Sequence, residues 1–185
     1  ASHAFGGIEL LTETSEEFLD IPIDYYIETD FEGFSRVVDL LGGIEINVEK
    51  PLKYVDQAGD LNINIPAGKQ VLNGDQALHY VRYRDMTYGD IGRVKRQQKF
   101  IKALIRRLMK PDIIVKLPGL YQEFRKSVIT NIPFKDISPF VRLIKDMNMS
   151  HIKTEMVPGV PEYRNNISYW IADRDKLEIL VTNLI

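Results

Sequence analysis

Arg82, Arg84, Arg93, Arg96 and Gln97 are the residues whose types and spacing point most directly to chemistry. Guanidinium groups offer forked, bidentate contacts that match phosphate oxygens. The last three lie in Asp90-Ile-Gly-Arg93-Val-Lys-Arg96-Gln97, at the start of a stretch, Ile91 to Lys110, with eight Lys or Arg and no acid. Cations at a helix N-terminus repel the positive pole of the macrodipole, so Arg93 and Arg96 there call for an anion between them. Backbone N–H groups at such an end are themselves anion ligands. Arg82 and Arg84 close the preceding helix, and the turn Asp85–Gly89 returns them toward Arg93. Four guanidinium or amide groups meeting there suit a diphosphate. Charge alone favours a solvated basic face paired with the acidic first fifty residues, which hold twelve acids against Arg36 and Lys50, and the clustering at a helix N-terminus brings the diphosphate reading level with it.

The elements that must position these groups are legible from periodicity. With Asp90 as N-cap, its carboxylate accepts backbone N–H bonds at the start of a helix spanning Asp90 to Met109. Arg93, Arg96, Gln97 and Phe100 then share one face. Val94, Ile101, Leu104, Ile105 and Leu108 form the neighbouring core stripe, and Arg106, Arg107 and Lys110 favour the dipole without any ligand. Further helices are expected at about 7–19, from Phe34 to a Gly42-Gly43 stop, from Gly74 to Tyr83, around Ile113–Val128 (broken at Pro118), at Ile137–Met147, and after an Asp173 cap. Strands are expected at Ile23–Thr29, Ile44–Val48, Leu61–Ile65, His151–Val157 and Tyr169–Ile171. Interleaved helices and strands give an α/β or α+β fold, with a central mixed sheet flanked by helices on both faces.

The 185 residues fit a single domain, and the composition is that of an ordinary globular protein, 44% hydrophobic and 27% charged. There is no cysteine, which excludes disulfides, thiol catalysis and Cys-based metal sites. No apolar run approaches the ~18 residues of a membrane span. His3, His79 and His151 lack ligand spacing, and Asp24, Glu28 and Asp30 read as a solvated strand face. Trp170 reads as a packing aromatic, and the chain, opening at Ala1, reads as a piece of something longer.

The string Tyr80-Val-Arg82-Tyr-Arg84, followed by Gly89-Asp90-Ile-Gly92-Arg93-Val-Lys-Arg96-Gln97-Gln98, resembles the signature of the LytR–CpsA–Psr family. Ala4-Phe5-Gly6-Gly7, Ile21-Pro22-Ile23-Asp24-Tyr25-Tyr26, Asp30-Phe31, Gly42-Gly43-Ile44 and Gly68-Lys-Gln-Val-Leu72-Asn-Gly74-Asp-Gln-Ala77-Leu fall where that family has similar segments. The likeness is good from Ala1 to Asn131 and looser beyond. It implies a phosphotransferase that moves a glycopolymer, such as teichoic acid or capsule, from a polyprenyl-diphosphate carrier to peptidoglycan. The expected setting is the outer face of a bacterial, mostly Gram-positive, membrane. The resemblance further implies an apolar tunnel for the lipid tail, Mg²⁺ on the diphosphate, and Arg82, Arg84, Arg93 and Gln97 as its ligands. Asp90 and Arg96 enter as supporting residues.

Family members begin with a membrane anchor and strands carrying the metal-binding aspartates, and nothing here matches that part. No metal residue is therefore assigned, the Mg²⁺ ligands being expected in the missing N-terminal part. The competing reading is a non-enzymatic basic module, or a transcriptional attenuator contacting nucleic acid, served by Tyr80, Tyr83, Tyr88 and Phe100 among the basic residues. A sequence pI near 6.0 and the acidic first third oppose a polyanion footprint, so no specific nucleic acid is expected.

Overall fold

The computed structural model describes residues 2–56, 61–84, 89–113, 121, 124–136, 139, 143, 146, 148–149, 152–165 and 167–184. These fall into two compact units, residues 27–153 and residues 1–26 with 154–185.

In the larger unit a short strand β1 (Ile27–Glu28) leads into helix α1 (Phe31–Leu40). Asp30 starts that helix, its carboxylate accepting the Gly33 N–H at 2.7 Å. Gly42 and Gly43 end it in the left-handed region (φ 76° and 83°), and the Gly43 N–H returns to the Val38 carbonyl at 3.0 Å. Strands β2 (Ile44–Val48), β3 (Leu52–Asp56), β4 (Leu61–Ile65) and β5 (Gly68–Leu72) follow. Ile44, Ile46 and Val48 alternate into the core, and Glu45 and Asn47 face outward. Helix α2 (Gly74–Arg82) begins with a capping box in which Asn73 and Gln76 exchange side-chain bonds with each other's backbone N–H. Helix α3 (Gly89–Leu108) is the longest, and β6 (Ile129–Thr130) returns beside β1.

Leu52, Ile63, Ile65, Leu72, Ala77, Tyr80, Phe100 and Ile113 complete this core with the inward residues of β2. Burying each large apolar side chain stabilises by roughly 1.5–3 kcal/mol. The buried stripe of α3 is rotated from its expected position. Phe100 and Ala103 are the core residues, Leu104 and Leu108 pack at the edge, and Ile101 is 49% exposed. Arg107 is no solvated cation either. Its Nε donates to the Leu41 carbonyl at 2.6 Å and its fork grips Asp112 at 3.0 Å. Arg107→Ala is expected to cost about 2 kcal/mol, a typical loss for a charged hydrogen-bond partner. The midpoint of urea unfolding measures this.

The smaller unit holds a helix α4 (Ser2–Leu19) kinked at Gly6 and Gly7, a hairpin of β7 (Gly159–Arg164) and β8 (Ile167–Ala172), and helix α5 (Arg174–Thr182). Asp173 caps α5 as expected, accepting the Lys176 N–H at 3.1 Å. Arg174 donates to the Phe18 carbonyl at 3.2 Å, tying α5 to the last turn of α4. Trp170 is only partly packed, its indole N–H bonded to the Val157 carbonyl.

The α+β class holds, but the pairing is not that of a central mixed sheet. Among the described residues the strands form four antiparallel pairs: β1–β6, β2–β5, β3–β4 and β7–β8. The strand expected over Ile23–Thr29 contracts to Ile27–Glu28, and residues 152–158 are irregular, with the strand beginning only at Gly159. The helices expected at Ile113–Val128 and Ile137–Met147, with Pro118 and His151, fall largely outside the described residues. No described helix is long and apolar enough to cross a membrane.

Candidate functional site

A cavity of about 850 Å³ opens in the larger unit between the start of α1, the β3–β4 hairpin and the facing ends of α2 and α3. Its walls are apolar. Phe31 and Phe34 come from α1, Tyr54 from β3, Leu61 and Ile63 from β4, and Leu78 and Val81 from α2. Its polar lining is Arg82, Arg84, Arg93 and Gln97, together with Thr29 and Asp30. The four residues expected to converge on an anion therefore do converge. This size and mixed lining belong to the range of small-molecule sites.

The three cations are held in two ways. Arg82, on the last turn of α2, lies over the Phe31 ring at 4.3 Å, a cation–π contact that restrains the guanidinium. Arg84 and Arg93 both reach the Asp90 carboxylate, at 3.4 and 2.9 Å. Gln97 donates from its amide to the Val81 carbonyl at 3.3 Å, bridging the end of α2.

Two expectations need correction. Asp90 is not the N-cap. Helix α3 already includes Gly89, so Asp90 stands in the first turn and turns its carboxylate to the two arginines. The anion that the dipole required between the cations is thus supplied first by the helix itself. Arg96, grouped with the ligand-binding residues, does not line the cavity. It is 4% exposed, its Nη2 donates to the Tyr83 carbonyl at 2.6 Å, and its guanidinium packs 4.9 Å from the Tyr83 ring. The i, i+4 step from Arg96 to Phe100 is the physical reason, since Phe100 is core and carries Arg96 inward with it.

Sequence reasoning missed three contributors. Phe31 gave no signal as a seat for Arg82. Asp30 read as part of a strand, yet it caps α1 at the cavity wall. Glu49 was invisible, because its role depends on long-range pairing. Its Oε1 lies 3.8 Å from Arg96 Nη1, and its Oε2 accepts from Lys99 Nζ at 3.1 Å and from the Tyr80 hydroxyl at 3.2 Å. Partial burial opposes ionisation of Glu49, but its backbone hydrogen bond, Lys99 and Tyr80 outweigh that and hold its carboxyl below the usual carboxylate range. Burial, with Glu49 adjacent, pushes the Tyr80 phenol above its ordinary value.

The described donors do not fit Mg²⁺. Asp30 is engaged in capping and Asp90 in two arginine pairs. Among the described residues no three His, Asp or Glu side chains come together as a metal would require.

Fold and cavity together define an α+β protein whose larger unit carries an apolar pocket lined on one part by arginines. The match to known proteins has the same character, with the LytR_cpsA_psr family model covering residues 1–185. The chain belongs to the LytR–CpsA–Psr family. It is 33% identical over 184 residues to the polyisoprenyl-teichoic acid–peptidoglycan teichoic acid transferase TagU of Bacillus licheniformis, covering 99% of this chain and 58% of that protein. It is 38% identical over 135 residues to the regulatory protein MsrR of Staphylococcus aureus, covering 72% of this chain and 40% of that protein. The crystal structure of TagV from B. subtilis superposes with a TM-score of 0.87 at 32% identity, over 100% of this chain and 71% of that one. The chain thus spans about half the length of these curated relatives.

Proposed function

We propose that this chain carries the lipid-diphosphate site of an enzyme that transfers a glycopolymer from a polyprenyl-diphosphate carrier to peptidoglycan. The observation that carries the reading is the joining of two surfaces in one cavity. Phe34, Leu61, Ile63, Leu78 and Val81 provide a wall for an isoprenoid tail, and Arg82, Arg84 and Arg93 stand where the tail gives way to phosphate. The printed name of TagU, a transferase acting between polyisoprenyl-teichoic acid and peptidoglycan, supports the same reading. The setting proposed for the whole protein is the outer face of a bacterial membrane.

In the proposed reaction an acceptor hydroxyl attacks the phosphorus bearing the glycopolymer. A new P–O bond forms as the diphosphate bridge breaks, the polyprenyl phosphate leaves, and the hydroxyl proton is released to solvent. Charge accumulates on phosphate oxygens, and fixed guanidinium groups aimed at those oxygens stabilise it without having to reorganise. Arg84 and Arg93 arrive already oriented by Asp90, and Arg82 by Phe31.

The regulatory name of MsrR keeps a nucleic-acid reading in view. A duplex needs a broad basic surface, whereas these arginines line an apolar cavity with Asp30, and two of them are paired with Asp90. Calorimetric titration of this chain with geranylgeranyl diphosphate, geranylgeraniol and duplex DNA at about 150 mM salt separates the two. The expected order is diphosphate first, alcohol weaker, and DNA retained weakly and lost as salt rises. DNA binding tighter than about 10⁻⁸ M, the range of specific operators, with no preference for the diphosphate over the alcohol, would replace the transferase reading.

A further inference from the structure

Tyr83 ends α2 with an extended backbone (ψ 130°), and the next residue is Arg84 on the cavity rim. The Tyr83 carbonyl and the Arg84 N–H belong to one planar peptide unit. Whatever fixes that oxygen therefore fixes where the Arg84 side chain begins. What fixes it is Arg96, which donates from Nη2 at 2.6 Å and packs against the Tyr83 ring from within the core. Arg96 is in turn restrained by Glu49, just beyond β2. Glu49 is anchored to both helices, to α2 through the Tyr80 hydroxyl and to α3 through Lys99. Lys99 also donates to the Asn47 carbonyl. A buried guanidinium with one carboxylate partner is a costly device for packing alone, since an apolar residue of similar volume serves that purpose as well or better.

We infer that Arg96 and Glu49 are positioning residues, which act through the Tyr83 carbonyl to set Arg84 on the rim and so tune its hold on a diphosphate head. The inference rests on the diphosphate reading proposed above. It separates these two residues from the ligand contacts, because neither lines the cavity.

The experiment titrates the protein and its variants with geranylgeranyl diphosphate and with geranylgeraniol, which shares the tail but lacks the phosphates. Arg96→Lys keeps the charge but loses the fork that spans Glu49 and Tyr83, and should weaken diphosphate binding about tenfold. Glu49→Gln keeps the shape and loses the charge, and should weaken it roughly threefold. Neither should change affinity for the alcohol. In an Arg84→Ala background Arg96→Lys should have almost no further effect, because the residue through which it acts is gone. A merely structural role would lower affinity for both ligands together, or leave the Arg96→Lys loss undiminished in the Arg84→Ala background. Either result overturns the inference. If Arg96→Lys does not fold, Glu49→Gln alone and with Arg84→Ala carries the same comparison from a half-exposed position. If the unmodified protein prefers the diphosphate but both variants match it, only the positioning role fails. If the unmodified protein shows no such preference, the diphosphate reading fails and the inference with it.

Discussion

Replacing Arg82 and Arg93 together by alanine is expected to weaken binding of a polyprenyl diphosphate by about a hundredfold, near 3 kcal/mol. Each lost charged hydrogen-bond partner costs roughly 1.5–3 kcal/mol, and neighbouring partners of one ligand are not additive, so the pair falls short of the full sum. Arg93 carries more than its own contact. It neutralises Asp90 at 2.9 Å, and without it that carboxylate keeps only the longer Arg84 pair at 3.4 Å and opposes the incoming phosphates. Arg82 adds a guanidinium already seated on Phe31. Isothermal titration of the double variant beside Arg107→Ala measures the effect. Arg107 is tied to Leu41 and Asp112 instead of the cavity, so its loss should leave affinity unchanged. Equal affinities for the double variant and the parent would remove the rim arginines from the site.

Gly74→Ala is expected to destabilise the fold by about 2–3 kcal/mol, the usual cost of an overpacked contact. A methyl group in the first turn of a helix would ordinarily help by roughly 0.5–1 kcal/mol. Here it would stand 2.3 Å from the Ser35 carbonyl and 2.7 Å from the Asp39 carboxylate. Backbone cannot yield as a flexible side chain does, so the clash outweighs the gain in propensity. The Gly74 N–H also donates to Asp39 at 2.8 Å, and any shift that relieves the clash lengthens that bond. The sign is settled by the urea midpoint. Unchanged or higher stability would mean that α1 and α2 do not approach as closely as described. Because α2 ends in Arg82 and Tyr83, the same substitution should also weaken diphosphate binding.

The parts of this arrangement that were legible in the sequence were local. Helix α3 announced itself through its charge and length, α1 through its double-glycine stop, α5 through its aspartate cap, and β2 and β4 through strict alternation. Convergence of Arg82, Arg84, Arg93 and Gln97 followed from helix spacing plus one turn. What escaped depends on contacts between distant segments. Val55 breaks the alternation of β3, and β5 opens on a glycine two residues after Pro66, so neither shows a full strand period. Ile23–Thr29 has strand-forming residues yet pairs over only two of them, because its partner β6 is that short. Arg96 sits beside Arg93 in sequence and is indistinguishable from it by type. Only the packing of Phe100 one turn later separates the buried cation from the exposed one.

Asp90 gives two of the cavity's arginines a built-in counter-ion. An anion approaching Arg84 and Arg93 meets a competitor that never diffuses away, being covalently part of the same helix and therefore present at a high effective concentration. Arg82 lines the same cavity but is seated on Phe31 instead, outside this competition. The carboxylate thus holds both arginines gathered at one point before any ligand arrives, and an incoming phosphate has to compete with it for them.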